Sequence, residues 1–573
     1  MDKGPVVAAL EEVAVLLEIK GENPFKCRAY SNAARSLETD PRSLKELVDT
    51  GELGSLKGIG KAIEEKITGM FKTGEFPLLE ELRAEIPAGL LDLVKIPGLG
   101  PKKAKAIYDE LGITTPGELE YVCRENRLVA LPGFGEKTQA KILEKLEYMK
   151  KHAGLFRINV AHETAQMLVE KLRKRPGIKR LEVAGSLRRC KEIVQDIDLL
   201  AVASKAEEVM DFFVHLSDVE SVTAHGPTKS SIVLKNGMAA DLRVVEPASF
   251  AAALMYFTGS KEHNTRIRGR AKAQDLKLNE YGLFPADSDR AILCKDEEAI
   301  YRKLGLAYIP PELREDQGEV EAAEKGDLPE LVQRSQIRGF IHVHSTWSDG
   351  VLSIEDWARK ASAQGYEYLG ICDHSKSAAY AGGLNSQSVK DQQAEIREVQ
   401  KKFPRLRILS GTEADILGDG ELDFDDKTLA SFDFVIASIH SRFKLSRDEQ
   451  TRRVLRAMEN PHVTMLGHPT GRLLLAREGY DLDMEAVLKH AARHRVAVET
   501  NAHPYRLDLD WRWGRLAREL GLFTSINPDA HDTDGFEHVD FGVGIVRKAG
   551  FDAERVLNTF PCDDFVKWKK SGR

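Results

Sequence analysis

Gly185-Ser186-Leu187-Arg188-Arg189-Cys190-Lys191-Glu192-Ile193-Val194-Gln195-Asp196-Ile197-Asp198-Leu199-Leu200-Ala201-Val202 opens on a glycine, passes two arginines and ends in an apolar run that reads as a buried strand. Side chains two apart on a strand leave by the same face, so Asp196 and Asp198 present both carboxylates to one space. A third carboxylate, Asp241, lies in Ala239-Ala240-Asp241-Leu242-Arg243-Val244-Val245, whose alternation predicts a half-buried strand able to pair alongside. Carboxylate oxygen is what hard divalent cations prefer, and two such ions can stabilise both the attacking and the leaving oxygen of a phosphoryl transfer. An Asp-x-Asp pair by itself is common at exposed strand ends; the Gly-Ser-x-Arg-Arg lead-in gives this one its weight.

Around this centre, residues 151–310 predict a mixed α+β region, with further strand-like runs at Leu181–Ala184 and Ser231–Leu234. Residues 1–150 read as helical, because Leu, Ala, Glu and Lys recur at three and four spacing between glycine-rich turns. Three of those turns are alike: Leu56-Lys57-Gly58-Ile59-Gly60-Lys61, Ile96-Pro97-Gly98-Leu99-Gly100-Pro101 and Leu131-Pro132-Gly133-Phe134-Gly135-Glu136. A Gly-x-Gly turn lets the N–H groups of the following helix start approach a phosphate, and Lys57, Lys61, Lys102, Lys103, Lys105 and Lys137 lie close by. One such copy reads as a tight helix-helix turn; triplication favours a backbone grip on phosphates.

The chain is 573 residues long, which implies several domains. At 42% hydrophobic and 30% charged it resembles ordinary globular protein, and a net charge of −7 argues against a polycationic nucleic-acid coat. The charge is uneven: residues 151–200 carry 11 Lys/Arg and 6 Asp/Glu, whereas 311–336 carry 3 and 8. The acidic stretch after Pro310-Pro311 has few large apolar residues and predicts an exposed linker. The 6 cysteines are scattered without a C-x-x-C pair, which fits a reducing compartment, and no apolar run reaches membrane-spanning length. A cytoplasmic protein with no membrane partner is expected.

After the acidic stretch, apolar strands alternate with amphipathic helices: Gly339–Val343, Tyr368–Cys372, Arg407–Leu409, Phe434–Ile439, Val463–Leu466, Val496–Glu499 and Thr524–Ile526. That rhythm predicts parallel strands with helical crossovers. At or just beyond their ends stand His342, His344, Asp349, Asp373-His374, Glu413, His440, His468, Asp529 and His531, where (β/α) barrels gather catalytic residues. Mixed imidazole and carboxylate sets suit Zn²⁺, Mn²⁺ or Fe²⁺. His152, His162 and His494 read as ordinary core or surface residues, and His503 as a loop histidine outside the ligand set.

The Asp triad with its Gly-Ser-x-Arg-Arg lead-in resembles the nucleotidyltransferase superfamily. Tyr256-Phe257-Thr258-Gly259-Ser260, then Asn264 and Arg268, looks like the nucleotide-binding segment of family X DNA polymerases. The glycine turns resemble helix-hairpin-helix motifs, which hold DNA by its phosphates. The C-terminal ligand series resembles the polymerase and histidinol phosphatase (PHP) domain, over about residues 336–570. The whole chain is therefore identified as resembling bacterial family X polymerases, a multidomain α+β and α/β protein.

The resemblance implies a 5′-phosphate and DNA-binding domain at 1–85, a second helical DNA-binding subdomain at 86–150, a nucleotidyltransferase palm at 151–245, a nucleotide-selecting subdomain at 246–310, an acidic linker at 311–335 and a PHP barrel at 336–573. Asp196 and Asp198 would bridge two Mg²⁺ or Mn²⁺ ions and Asp241 would serve the ion at the primer 3′ hydroxyl. Gly185, Ser186 and Arg189 would hold the triphosphate, Tyr256, Phe257 and Gly259 the sugar, Asn264 the base edge and Arg268 the templating strand. DNA phosphates would meet Gly58, Gly60, Gly98, Gly100, Gly133 and Gly135, with Lys26, Tyr30 and Lys66 in the 5′-phosphate region; Lys66 falls where some members carry a Schiff-base lysine. In the PHP domain up to three Mn²⁺, Zn²⁺ or Fe²⁺ would be shared among His342, His344, Glu413 and Asp529, then Glu413, His440 and His468, then Asp349, His374 and His531.

The implied activity is filling of short gaps in base excision repair, with 3′-5′ exonuclease, 3′-end processing and AP-endonuclease activity from the PHP domain. Gapped or primed double-stranded DNA and deoxynucleoside triphosphates are the implied partners of a monomer in the bacterial cytosol or nucleoid. Two rivals are a small-molecule phosphatase with an inactive palm and a non-enzymatic DNA tether. Asp196→Ala separates the first, since an idle triad would leave every activity intact; metal-dependent turnover separates the second.

Overall fold

The computed structural model describes residues 2–570 apart from 41, 125–126 and 152–153, so His152 lies outside the described residues. The chain forms two compact units, Met1–Ala153 and Gly154–Arg573.

The first unit is helical. Its three glycine turns share one construction: in each the residue between the glycines is buried, Ile59, Leu99 and Phe134, while the glycines stay exposed. The buried residue donates its backbone N–H three positions back, to Leu56, Ile96 and Leu131 at 3.0, 2.9 and 3.0 Å. Gly58, Gly98 and Gly133 take φ of +94°, +89° and +85°, a conformation that favours glycine, and Lys61–Thr73, Pro101–Leu111 and Glu136–Lys151 start directly after the second glycine. One apolar anchor thus fixes each turn and leaves a bare helix N-terminus facing water.

The second unit holds two large sheets, of five and seven strands, beside two small two-stranded ones. In the first, β1 (Ile178–Val183), β2 (Asp196–Ala203), β3 (Val219–His225), β4 (Lys229–Leu234) and β5 (Ala239–Val244) take the order β1-β2-β5-β4-β3. β2 and β5 are parallel, and every other neighbour is antiparallel. The second sheet runs β6 (Gly339–Val343), β7 (Tyr368–His374), β8 (Arg407–Asp415), β9 (Phe434–Ser438), β10 (Met465–Leu466), β11 (Ala497–Asn501) and β12 (Thr524–Asn527), each parallel to the next in chain order. These strands are buried almost throughout, which is why they read as apolar runs. A parallel bridge from Val343 to Ala530, just past β12, brings the last strand round to the first.

Residues 311–335 correct the sequence reading: they are not an exposed linker. A helix, Glu319–Lys325, packs Val320 and Ala323 inward, and Arg314 and Glu319 are buried. Their charges are neutralised by partners distant in sequence: Arg314 donates to Glu297 at 2.6 Å, and Glu319 stands 2.7 Å from the ring of His263, whose other nitrogen meets Tyr301 at 2.8 Å.

The two sheets are joined by a packed seam. Leu474, Leu507, Trp511 and Ile545 from the barrel side belong to the core under the first sheet. Trp511 and Arg512 donate to opposite oxygens of buried Glu192, at 2.8 and 2.7 Å. Lys548 donates to the carbonyl of Arg189 and to Glu315.

Candidate functional site

In the first sheet the register sets Asp198 opposite Asp241, with Asp196 one pleat away on the same face. Burial, then the charges of Asp196 and Asp241, push the Asp198 carboxyl up to about 6; partial burial and Asp241 raise Asp196 as well. Three carboxylates crowd together, and Lys229, 2.9 Å from Asp241, partly offsets their charge. The donor set is all oxygen, the kind that hard divalent ions prefer, and it shares one face of the sheet without closing to the spacing of the barrel ligands. Gly185 is required beneath it: its φ is +64°, and a Cβ there would lie 2.2 Å from an Asp198 carboxylate oxygen.

The flanking residues converge partly. Ser186 stands in the turn Gly185–Arg188, directly after β1, the neighbour of the triad strand β2. Arg189 is drawn aside, its guanidinium donating to Glu315 at 2.9 Å and to the Thr258 carbonyl, while the Gly259 backbone leaves room for it; a Cβ on Gly259 would meet it at 2.9 Å. Tyr256 and Phe257 pack edge to face, Asn264 donates to the Tyr256 carbonyl at 2.7 Å, and Tyr256, Asn264 and Arg268 line one small cleft. In the helical unit Lys26 is 3.2 Å from Glu22, Tyr30 is turned into the core, and Lys66 donates back to the Ala62 carbonyl. Burial therefore gives Tyr30 a packing role rather than an open binding face.

The barrel brings its whole expected ligand series together around Glu413. One oxygen of Glu413 faces His342, His440 and His468 at 3.4, 3.3 and 2.8 Å; the other faces His344 and His374 at 3.6 and 3.1 Å. Asp529 stands 3.5 and 3.2 Å from His342 and His344, and Asp349 stands 3.6 and 3.4 Å from His374 and His531. Two donors bound at about 2.1 Å to one tetrahedral centre lie about 3.4 Å apart, so most of these gaps have ligand spacing rather than hydrogen-bond spacing. The buried Nε2 atoms of His342 and His344 make no hydrogen bond. The residues present fit divalent transition ions.

The expected grouping changes in detail. His374 joins Glu413 and His440 as well as Asp349 and His531, and His344 reaches the Asp349 group too, so the sets overlap. His342 and Asp529 hold φ of +69° and +49°, backbone strain of the kind that collects at functional sites. Burial alone would raise the Glu413 carboxyl, but His440, His342 and His374 hold it well below the usual carboxylate range; burial opposes protonation of His440, yet Glu413 and Asp415 carry it up to about 10.

Sequence reasoning missed the supporting layer. Glu499 on β11 accepts from His342 Nδ1 at 2.5 Å and from the His468 backbone N–H at 2.7 Å, and Asn527 donates to it at 2.8 Å. Asp415 takes His440 Nδ1 at 2.5 Å. These bonds fix which nitrogen each imidazole turns toward Glu413. Arg506 stands 3.3 Å from Asp529 at the mouth, and His503, pushed down to about 4 by burial, lies beside it against His538. Asp373 is not a ligand: it accepts bonds from Ser345, Ser348 and Gln392. Alternation of acids along strands was the available signal for Asp415 and Glu499, each two residues or fewer from a ligand or strand end.

Known proteins bear on both regions. Residues 1–76 match the helix-hairpin-helix domain family, 90–147 the SAM-like helix-hairpin-helix tandem, 253–315 the DNA polymerase beta thumb and 341–503 the PHP domain. The chain is 39% identical over 572 residues, all of both chains, to the DNA polymerase/3′-5′ exonuclease PolX of Bacillus subtilis. A probable phosphatase of Acetivibrio thermocellus is 27% identical over 243 residues, covering 40% of this chain and 95% of that protein. Among solved structures, a ternary complex of Leishmania infantum polymerase beta matches 40% of this chain and 98% of that one, at 22% identity and a TM-score of 0.27.

Proposed function

The chain belongs to the family X DNA polymerases that carry a C-terminal PHP domain, and on that premise we propose that it extends primer 3′ ends in gapped DNA at Asp196, Asp198 and Asp241 and shortens or cleans 3′ ends in the barrel. The observation that carries the reading is that one body holds two unlike metal-type sites, one all carboxylate and one of imidazole and carboxylate.

Divalent ions bound by the triad, Mg²⁺ or Mn²⁺, supply charge neutralisation at the transferring phosphoryl group. Asp196 and Asp198 orient the triphosphate end of a deoxynucleotide and Asp241 the primer 3′ hydroxyl. Ser186 and the short turn's backbone meet the phosphates; Arg189 joins them by leaving Glu315, an exchange of one anion for another. Tyr256, Phe257 and Gly259 flank the sugar, Asn264 meets the base edge and Arg268 the template. The glycine turns hold duplex phosphates without reading sequence, so affinity falls steeply with salt.

In the barrel, His342, His344, Asp349, His374, Glu413, His440, His468, Asp529 and His531 would hold up to three Mn²⁺, Zn²⁺ or Fe²⁺, which would supply Lewis acidity toward water and charge neutralisation at phosphorus. Glu499 and Asp415 keep the Nε2 atoms of His342 and His440 aimed inward, and Arg506 meets the non-bridging oxygens of the terminal phosphate. Filling of short gaps in base excision repair and incision at abasic sites follow as the cellular use, for a monomer in the cytoplasm. Among the described residues no helix is long and apolar enough to cross a membrane.

One assay tests the whole reading. A one-nucleotide gap with a labelled primer is incubated with and without deoxynucleotides, in Mg²⁺ and then Mn²⁺. Extension with nucleotides and shortening without them are expected; a primer unchanged in both overturns the proposal.

A further inference from the structure

Outside both reaction centres, the helix Met484–His494 carries His490 and His494 four residues apart, hence on one face, and the helix Arg447–Glu459 packed against it ends in Glu459. Nitrogen and oxygen atoms of the three residues all lie within 4.8 Å of one another. The two imidazoles stack with centroids 4.2 Å apart, and His490 Nε2 stands 3.8 Å from a Glu459 carboxylate oxygen. His490 Nε2 is buried and makes no hydrogen bond, while the same ring is bonded to the Leu455 backbone. One ring nitrogen is thus fixed by the main chain, and the other stands 3.8 Å from the Glu459 carboxylate while the His494 ring covers the face of the His490 ring. Metal-ligating histidines are held in this way.

We propose that Glu459, His490 and His494 bind one divalent transition cation of the zinc class, at a site independent of nucleotide addition and of 3′-end shortening. Two imidazoles and a carboxylate favour Zn²⁺, Co²⁺ or Ni²⁺ over Mg²⁺, which prefers oxygen alone. His490 Nε2 and the Glu459 carboxylate already stand 3.8 Å apart, a few tenths of an ångström from the roughly 3.4 Å of shared tetrahedral ligands, and Glu459 is an exposed side chain at a helix end, free to close that gap. Burial first, then the neighbouring His494, hold the His490 ring below its ordinary value against the charge of Glu459.

The place of the cluster gives its role. Glu459 precedes β10 and His494 precedes β11, so both stand on the side of the strand starts, whereas His468 of the reaction centre stands beyond the far end of β10. An ion here ties two outer helices together beneath those strands and acts on the stability of the barrel, not on its chemistry.

The test uses the full chain, stripped of metal and dialysed into zinc-buffered solution, as wild type, Glu459→Gln, His494→Ala and His342→Ala. Bound zinc per chain and the thermal midpoint are measured at each free zinc level. Glu459→Gln and His494→Ala are expected to bind one zinc fewer than wild type, or to bind it at least tenfold more weakly, with 3′-end shortening unchanged. His342→Ala is expected to lose zinc from the reaction centre and keep this site. Glu459 is exposed, so its variant reports on binding without endangering the fold. Zinc titrations of Glu459→Gln and His494→Ala that superimpose on wild type overturn the proposal.

Discussion

The carboxylate triad and the barrel centre, the two sites proposed for phosphoryl chemistry, stand in opposite states of preparation. The triad is open: Asp196 is exposed, Asp198 is half-buried with its carboxyl raised to about 6, and a lysine offsets part of the charge. The barrel centre is enclosed apart from Asp349 and His531 at its rim, its acids are balanced by imidazoles already in place, and His342 and His440 are clamped by Glu499 and Asp415. Under the proposed function, a site whose ions would travel with a nucleotide has to accept them and let them go, and a site whose ions would stay can use rigid, mostly buried ligands. The difference teaches that the two centres should fail separately, and by different routes.

The largest effect is the crossed loss. Asp196→Ala is expected to lower nucleotide addition on the order of 10³-fold, about 4 kcal/mol of barrier, while leaving 3′-end shortening intact; His344→Ala reverses the pattern. Gel analysis of one labelled primer reads both, and a variant that abolishes both activities would break the comparison. Gly185→Ala comes next. Its Cβ would lie 2.2 Å from the Asp198 oxygen and its φ is +64°, so the carboxylate must shift, and a displacement near 1 Å costs about 10²-fold in nucleotide addition. The barrel activity serves as the internal control.

The enclosed centre should instead fail through metal retention. Glu499→Gln removes a charge from His342 and sets an amide against the Asn527 amide that now donates to Glu499. Loss of such a supporting acid weakens metal binding about 10- to 100-fold. Shortening activity is then expected to collapse in dilute metal and return in excess, measured as a rightward shift of the Mn²⁺ titration, with nucleotide addition in Mg²⁺ unmoved.

Much of both centres was legible because their ligands fall on strand ends, where spacing alone assigns a face; Asp196, Asp198 and the barrel histidines were read that way. Four things were hidden. β3 shows almost no burial, so its residues carry no alternation to detect. Residues 311–335 look solvated because the partners that neutralise them, Glu297 and His263, lie outside the stretch. Glu499 and Asp415 act on metal ligands more than 20 residues away, a pairing that only register in the barrel creates. His494, read as ordinary, gains meaning only from a neighbouring helix.

The smallest effect concerns the seam that puts both centres on one body. Burial alone would raise the Glu192 carboxyl, but Arg512 and Arg472 carry it from the ordinary 4.5 down to about 2. A depressed carboxyl stabilises the fold fully above its unfolded value and loses that contribution as pH falls toward the folded one, here between about 4.5 and 2. The full shift corresponds to an order of 3 kcal/mol. Glu192→Gln is therefore expected to lower the thermal midpoint at pH 7 and to converge on wild type as pH drops through that window. A constant gap between the two curves would mean that Trp511 and the apolar contacts, rather than this ion pair, hold the open centre to the enclosed one.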